Sequence, residues 1–484
     1  MSSKTSREAS FVVLALVAVA IVARVIGLND GLWVDEVYSL VRSFREPVGK
    51  ILTEYWGDNH HPLYALLAHA SRAAFGEAPW TIRLPAMMFG VASVPLLLLL
   101  GERVMPRREA ILAALLLAVS YYHVWFSQNA RGYSAIAFFT LATLWALLRG
   151  VEGGRSSSFI AYGVLAGLGA YTHLTMIFVV VGHAVAMAIW LLTTASPAHL
   201  GRLVRQSVLA FGLGALSTVV LYAPMLKGVI DFFLHRPSQL KGVSTPAWAL
   251  LETIRVLLIG IGAGGVVIAT IVLAVGAAVA ISGFVSLWRS HRLFALAFVL
   301  PIVVTLVGAG GTRGTLYPRF FFFAIGPAIL ILVRGAFVAC GWFGRRLHRA
   351  TLGPQLAVGG MSMAIALSAL SLGANYRYPK QDFKGAMQYV LSERRTGDQV
   401  VTAGIPSNPL NTLYLQPWPD LATRASLDSV RKTARTWVVW TFPRYLERNA
   451  PEIAQVLQQE CPHPRAFHGT VGGGDIMVCA LNPQ

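Results

Sequence analysis

The sequence predicts a mainly α-helical membrane protein, a polytopic helix bundle of about eleven spans with a small C-terminal α/β domain. Of its 484 residues, 55% are hydrophobic and only 13% are charged, and the mean hydropathy is +0.59. Soluble domains average about 25% charged residues, so lipid is the solvent of most of this chain. Residues 375–484 differ from the rest, because they have ordinary polarity and no spanning run.

Each predicted span is a run of roughly 20 mainly apolar residues, the length that crosses a bilayer as a helix. Lys4 and Arg7 precede the first run as in a signal peptide, but no small-residue cleavage site follows. We therefore expect the first run to be retained as a membrane helix. The predicted spans are 10–28, 82–103, 110–126, 133–149, 159–173, 175–194, 208–226, 253–286, 293–310, 319–338 and 355–374.

The net charge of +18 follows the positive-inside pattern rather than the basic patch of a nucleic-acid-binding protein. With a cytoplasmic N-terminus, the basic loops all fall on the cytoplasmic side. They carry Arg103, Arg107, Arg108, Arg149, Arg155, Arg202, Arg205, Arg289, Arg292, Arg345, Arg346 and Arg349. The opposite side holds loops 29–81, 128–131, 227–248 and 311–319 and, after an odd number of spans, the C-terminal region.

The C-terminal region alternates helices with strands, which is typical of a small α/β layer domain. We divide the chain into a membrane domain, 1–374, which includes the long loop 29–81, and a second domain, 375–484. The predicted helices are 382–395, 408–414 and 451–459, and the predicted strands are 399–403, 436–441, 465–469 and 475–481. Cys461 and Cys479 either pair or remain thiols; an oxidising compartment permits the disulfide.

The loop 29–81 carries polar residues that could perform chemistry. Asp35 and Glu36 are adjacent in a chain with only 22 acidic residues, and they open a segment, 36–52, with helical apolar spacing. This segment is expected to lie at the membrane interface, followed by a short helix over 62–75. Asp35 is a candidate general base; its structural alternative is the N-cap of that helix.

Four arginines lie next to span ends on the predicted non-cytoplasmic side, where the positive-inside rule expects few. Their guanidinium groups can bind phosphate with two parallel hydrogen bonds, or they can reach outward to lipid headgroups. The four are Arg83, Arg131, Arg313 and Arg319. A carboxylate opposite such a cluster suggests transfer from a lipid-phosphate-linked donor, in which arginines stabilise the leaving phosphate and the carboxylate deprotonates the acceptor.

Histidines near the first loop suggest a metal site only weakly. Asp58 and His60 are the candidates, but adjacent histidines rarely point the same way and no acid-rich partner follows. We predict no cofactor and no metal. His173 and His183 lie in apolar runs and are expected to be core residues.

The motifs Trp33-Val-Asp-Glu36, His61-Pro-Leu-Tyr64 and Arg83-Leu-Pro85 resemble the first loop of bacterial GT-C glycosyltransferases. The resemblance is to the protein O-mannosyltransferase family and to the lipid A aminoarabinose transferases. Two later motifs, Gln128-Asn-Ala-Arg-Gly-Tyr133 and Tyr317-Pro-Arg-Phe320, are similar to the family's outer arginine motifs. This chain has Leu63 and Phe320 where members commonly have proline and tyrosine.

The resemblance implies an enzyme of the bacterial inner membrane that transfers a hexosyl or pentosyl group from a polyprenyl-phosphate donor on the periplasmic face. It places the base at Asp35, with Glu36 in support, and donor-phosphate binding at Arg131, Arg319, Arg83 and Arg313. Candidates for the sugar or acceptor pocket are His61, Tyr64, Tyr133 and Tyr317. The acceptor is a lipid, a glycan or a protein.

Three other functions stay open. A transporter or flippase of lipid-linked sugars would show internal repeats and broken helices near the midplane, and no convincing repeat is present. A non-catalytic scaffold for cell-envelope assembly would tolerate the loss of Asp35. A metal-dependent oligosaccharyl-type transferase would use Asp35, Asp58 and His60 as ligands.

Overall fold

The structure is a computed structural model that describes residues 3–57, 59–235, 265–311 and 317–483. By their contacts these residues form two compact units. Unit 1 contains 1–25, 49–67 and 84–372, and unit 2 contains 26–48, 68–83 and 373–484. Two parts of the first loop therefore group with the C-terminal region, whereas the sequence was divided at residue 374 into two continuous domains.

Helices make up nearly all of the described part of the chain before residue 378. A π-helical turn, Leu40–Phe44, follows α2, and 3-10 turns occupy Ala223–Met225 and Pro318–Ala324. The α-helices are α1 Ser3–Val25, α2 Val34–Ser39, α3 Val48–Thr53, α4 Pro62–Phe75, α5 Pro79–Val104, α6 Arg107–Ala118, α7 Tyr121–Ser127, α8 Tyr133–Gly153, α9 Ser156–Thr172, α10 Thr175–Thr193, α11 Pro197–Tyr222, α12 Leu226–His235, α13 Gly265–Ser290, α14 Arg292–Gly311, α15 Ile325–Arg346 and α16 Leu352–Arg377.

This is a multi-pass membrane protein. Among the described residues, eight helices are long and apolar enough to cross a membrane, or up to nine if α6 and α7, bent by 55°, form one span. Helix α9, with 17 residues, and the apolar part of α14 are shorter. Each predicted span overlaps one of these helices, although residues 253–264 of the eighth span lie outside the described ranges.

Unit 1 is held together by close packing of apolar helices, with small residues at the points of closest approach. Helix α13 packs on α15 where Gly283 and Gly335 face each other. A Cβ at Gly283 would overlap the Ile331 carbonyl oxygen, and one at Gly335 would overlap that of Val279. Small residues allow such approach between membrane helices, where dispersion rather than water exclusion drives association.

Unit 2 contains a four-stranded sheet with helices packed on it. The strands are β1 Gln399–Ala403, β2 Thr436–Trp440, β3 Arg465–Phe467 and β4 Ile476–Leu481. Their order is β1-β2-β4-β3, in which β1 and β2 are parallel and the other pairs are antiparallel. The helices are α17 Phe383–Glu393, α18 Ser407–Thr412, α19 Arg424–Arg431, α20 Pro443–Asn449 and α21 Pro451–Glu460.

All four predicted strands are present, and α19 and α20 are additions to the predicted helices. A disulfide joins Cys461, after α21, to Cys479 of β4, with Cα atoms 6.4 Å apart. The predicted interfacial helix over 36–52 is interrupted: α2 and its π-helical turn end before Pro47, and α3 begins at Val48. Proline lacks the N–H that a continuous helix would need there. Helix α2 packs on α18 within unit 2.

Candidate functional site

The predicted site residues fall into two groups, one in each unit. In unit 1 the central residue is Arg131, whose side chain is 1% exposed. Its Nε donates to His61 Nε2 (3.2 Å) and its Nη2 donates to Asn59 Oδ1 (2.8 Å). The guanidinium carbon lies 5.7 Å from the centre of the Tyr133 ring. Two short loops thus hold a buried cation in a fixed orientation.

Gly132 allows these loops to come together. A Cβ there would lie 2.9 Å from the Thr172 carbonyl oxygen and 3.2 Å from His61 Nδ1. The same Thr172 oxygen lies 3.1 Å from His61 Nδ1. Since an arginine N–H can only donate, His61 Nε2 accepts and Nδ1 carries the proton that is donated to Thr172. This fixes the tautomer of His61.

His173 links Arg131 to the second arginine motif. It lies between α9 and α10, and its ring centre is 4.7 Å from that of His61 and 5.2 Å from that of Tyr133. The Phe320 ring lies edge-on to two rings, with its centre 6.3 Å from that of His173 and 5.9 Å from that of Tyr317. The guanidinium carbon of Arg319 lies 4.4 Å from the centre of the Tyr317 ring. The loops before α8, between α9 and α10, and before α15 therefore meet in one polar cluster.

The histidines of this cluster are neutral. Burial, reinforced by Arg131 and Arg319, lowers the pKa of His173 to about 3. Burial also lowers the pKa of His61 well below its ordinary value, with Arg131 and His173 acting in the same direction. Because neither imidazole carries charge at neutral pH, the positive charge of the cluster belongs to the guanidinium groups, which suits an anionic ligand.

The weak metal candidates do not form a site among the described residues. His60 is 4% exposed and stacks between the rings of Tyr55 (5.7 Å) and Trp56 (5.6 Å). Its burial lowers its pKa to about 4. No group of three metal-ligating side chains occurs in the described ranges. Asp58, the other candidate, lies outside them.

In unit 2, Asp35 is half-buried in the first turn of α2. The N-cap of this helix is Trp33, so Asp35 is the second helical residue, and the N-cap alternative for it does not apply. Tyr38, one turn later, has a raised pKa because burial disfavours its anion, with Tyr445, Asp35 and Asp420 adding repulsion and Arg42 opposing them.

Glu36 and Arg83 form a fully buried ion pair in unit 2, with both side chains 0% exposed. Arg83 Nη2 lies 2.6 Å from Glu36 Oε2, and its Nε lies 2.8 Å from Oε1. The remaining N–H groups of Arg83 donate to the carbonyl oxygens of Leu28 (3.0 Å), Asp30 (2.8 Å) and Gly31 (3.0 Å). All five guanidinium donors thus hold the loop, which leaves none for the donor phosphate that was predicted at Arg83.

Two residues from the start of the C-terminal region join this network. The Lys380 side chain is buried, and its pKa is lowered to about 7 by burial and by Arg83, against the opposing effects of Glu36 and Asp30. Gln381, 1% exposed, accepts the N–H of Val34 at Oε1 (3.0 Å). Its Nε2 donates to Thr441 Oγ1 (3.3 Å) and to the Gly474 carbonyl oxygen (2.9 Å).

Of the other predicted residues, Tyr64 on α4 is 1% exposed and Tyr133 is 3% exposed, so both pack inside unit 1. Tyr317 is half-buried beside Arg319. Arg313 and most of the loop 227–248 lie outside the described residues. Asn59, Lys380 and Gln381 carry no local sequence signal of a functional site. His173 was expected to be a core residue, although its position at the tight turn between two apolar runs was a signal for the site.

Residues 59–226 match the family model of dolichyl-phosphate-mannose-protein mannosyltransferases, and this range includes Asn59, His61, Arg131 and His173. No curated protein sequence matches the chain. Apo ArnT from Cupriavidus metallidurans has a similar structure over 99% of this chain and 98% of that one, with 14% identity and a TM-score of 0.55. The chain therefore has an ArnT-like GT-C fold.

Two further structures share the GT-C fold. ArnT from the same organism bound to undecaprenyl phosphate matches with 14% identity, 98% coverage of both chains and a TM-score of 0.54. The Archaeoglobus fulgidus oligosaccharyltransferase in complex with Zn and sulfate matches with 12% identity and a TM-score of 0.56, over 96% of this chain and 72% of that one. At these low identities the structural similarity shows a shared fold alone, and the chemistry of this chain has to be argued from its own residues.

Proposed function

We propose that this protein transfers a sugar from a polyprenyl-phosphate-linked donor to an acceptor on the periplasmic face of the bacterial inner membrane. The transfer is a single displacement that inverts the anomeric carbon, with Asp35 as general base. The observation that carries the proposal is the buried Arg131, held by Asn59 and His61 beside neutral histidines and near Arg319. A buried cation that is held by neutral side chains keeps its positive charge available to a phosphate.

Arg131 and Arg319 are the proposed phosphate ligands. Both act electrostatically on His173, and the chain of ring contacts through Tyr133, Phe320 and Tyr317 connects them. Preorganised positive charge of this kind stabilises the transition state more than the ground state, because negative charge grows on the phosphate as the glycosidic bond breaks. The undecaprenyl phosphate bound to ArnT is consistent with such a ligand in this fold.

His173 is a third proposed donor to the phosphate. Its Nδ1 accepts the N–H of Thr175 (3.2 Å). A neutral imidazole has one proton, so Nε2 carries it and can donate. The lowered pKa of His173 keeps this group a neutral hydrogen-bond donor across the physiological range. Phe320, whose ring borders His173 where the family commonly has tyrosine, supplies shape without a hydroxyl group.

Asp35 is the proposed base because the carboxylate of Glu36 is engaged in the buried ion pair with Arg83. In the proposed step the acceptor hydroxyl or amine attacks the anomeric carbon while its proton passes to the Asp35 carboxylate. The bond from that carbon to the phosphate oxygen breaks, and the polyprenyl phosphate leaves with both electrons. One base and no covalent intermediate give inversion, by analogy with inverting glycosidases.

The proposed orientation rests on the loop charges and on the contacts in unit 1. One cluster in unit 1 is formed by loops that the charge pattern assigns to the non-cytoplasmic side. These loops contain Asn59, Arg131, His173 and Arg319. The Cys461–Cys479 disulfide in unit 2 is consistent with an oxidising compartment on that side.

The test is sugar transfer by the purified full-length protein from a panel of polyprenyl-phosphate sugars in lipid nanodiscs. Asp35→Asn keeps the size of the side chain and removes the base, so kcat should fall by roughly 10²–10⁴-fold. Asp231→Asn, on an exposed part of α12, is the matched control and should behave as wild type. Arg131→Lys should lower kcat and raise the donor KM, whereas Arg155→Lys, exposed between α8 and α9, should do neither.

Three outcomes would overturn the proposal. Equal donor consumption by wild type and Asp35→Asn would remove Asp35 as base. Sugar-lipid movement across a sealed membrane without cleavage of the donor would instead support a flippase. Loss of activity on chelation, restored by a divalent ion, would favour the metal-dependent mechanism over the one proposed here.

A further inference from the structure

The helix that carries Asp35 is too short to be stable by itself. Helix α2 has only six residues before it passes into a π-helical turn. A helix of this length is unstable alone, since the first N–H groups of any helix have no partner within it. The position of Asp35 therefore depends on side-chain contacts in addition to the backbone hydrogen bonds of α2.

Two side chains supply the missing partners at the start of α2. Glu36 Oε2 accepts the N–H of Trp33 (3.3 Å), and Gln381 Oε1 accepts the N–H of Val34 (3.0 Å). Val34 directly precedes Asp35, so the second hydrogen bond acts one residue away from the proposed base. Both acceptors are fully or almost fully buried, where such a bond is not exchanged for one with water.

Gln381 is itself fixed from the other side. Both protons of its carboxamide are engaged, one by Thr441 at the end of β2 and one by Gly474 in the turn before β4. Thr441 Oγ1 also donates to the Gly474 carbonyl oxygen (3.0 Å). The backbone on either side of Lys380 is bound to the same turn, because Pro379 and Lys380 accept the N–H groups of Thr470 (2.9 Å) and Val471 (3.1 Å). The sheet therefore holds the carboxamide in place.

We propose that Gln381 is a positioning residue for the glycosyl transfer, because its carboxamide connects the sheet of the C-terminal region to the first turn of the helix that carries Asp35. This inference rests on the proposed role of Asp35. It gives residues 373–484 an indirect part in catalysis, through the position of Asp35. A misplacement of about 1 Å at a reacting group can cost on the order of 10²-fold in rate.

The first experiment compares Gln381→Met with wild type in the transfer assay. Methionine has a similar length but offers neither a strong acceptor nor a donor, so kcat should fall about 10- to 100-fold while the donor KM changes by less than about twofold. Gln458→Met makes the same substitution at an exposed position of α21 in the same unit and should leave kcat unchanged. A raised donor KM with unchanged kcat would show that Gln381 binds substrate instead.

The second experiment is rescue by Val34→Pro. Proline is favoured at the first position of a helix and has no N–H to satisfy, and the backbone of Trp33 is extended, as the residue before a proline requires. In the Gln381→Met background, Val34→Pro removes the orphaned N–H and fixes the turn, so kcat should recover about tenfold. A merely structural role for Gln381 within the sheet would not be rescued by a change in the first loop.

Hydrogen exchange in the full-length protein gives a result that is independent of activity. In Gln381→Met the amides of residues 28–40 should exchange faster, with those of β1, β2 and β4 unchanged. Unchanged exchange in residues 28–40, or faster exchange with wild-type kcat, would overturn the inference. Failure of the proposed function would give a different result: an Asp35→Asn variant with wild-type activity would show that Asp35 is not the base, whatever the effect of Gln381→Met.

Discussion

Replacing Arg83 by lysine separates a structural role from phosphate binding. Lysine keeps the charge but has three donors in place of five, so at least two of the oxygens on Glu36, Leu28, Asp30 and Gly31 lose their partner. A buried polar group left unsatisfied costs roughly 1–3 kcal/mol. The variant should therefore lose about 2–6 kcal/mol of stability in unit 2, a large part of the 5–15 kcal/mol typical of a domain.

A loss of that size shifts the unfolding midpoint by about 2–4 °C per kcal/mol for a unit of this size, so we expect a decrease on the order of 10 °C. This decrease can be measured by thermal unfolding, with proteolysis of the C-terminal region as the readout. Arg435→Lys is the control, since Arg435 pairs with Asp398 at 3.7 Å and lies over the Trp437 ring at 4.9 Å, two weak contacts that a lysine can also make. A variant at Arg83 with wild-type stability and a raised donor KM would refute the structural role.

Three further predictions concern other parts of the molecule. Gly132→Ala should raise the donor KM about tenfold by pushing Thr172 and His61 away from Arg131, whereas Gly212→Ala, with nothing within 4 Å of its Cβ, should not. Replacing Cys461 and Cys479 by serine should cost unit 2 roughly 3 kcal/mol in a denaturant titration, given a loop of 18 residues, while the free Cys340 can be replaced without effect. The stability of unit 2 should rise with pH between about 7 and 10.5, because the unfolded chain binds a proton at Lys380 that the folded one does not. Lys380→Met should remove this slope.

The sequence predicted the fold well because its signals were local. Apolar runs of spanning length are a local feature, and each of them overlaps a helix of the structure. The strand Gln399–Ala403 was predicted with its observed bounds, since a short apolar run between polar turns is a local feature. The short helix α20 was missed because its apolar pattern is weak: Leu446 is its buried residue.

The site was only partly predictable, because its polar partners are far apart in the sequence. Arg131 was selected because it lies on the predicted non-cytoplasmic side, where the positive-inside rule expects few arginines. The same reasoning selected Arg83, which lies in unit 2 and whose guanidinium group is hydrogen-bonded to a carboxylate and three carbonyl oxygens. The positive-inside pattern cannot distinguish an arginine that binds a ligand from one that holds a loop. Val34 and Gln381 are 347 residues apart, and no local pattern connects them.

The adjacent acids Asp35 and Glu36 show why the two cannot share one role. Successive residues of a helix point about 100° apart, so a turn that buries one carboxylate against Arg83 directs the other elsewhere. Glu36 is 0% exposed and Asp35 is half-buried. A carboxylate fixed to a guanidinium is a poor base, because the ion pair favours its charged form and opposes proton uptake. We therefore expect the two acids to differ in role: Glu36 holds the loop through its ion pair with Arg83, and Asp35 is the proposed base.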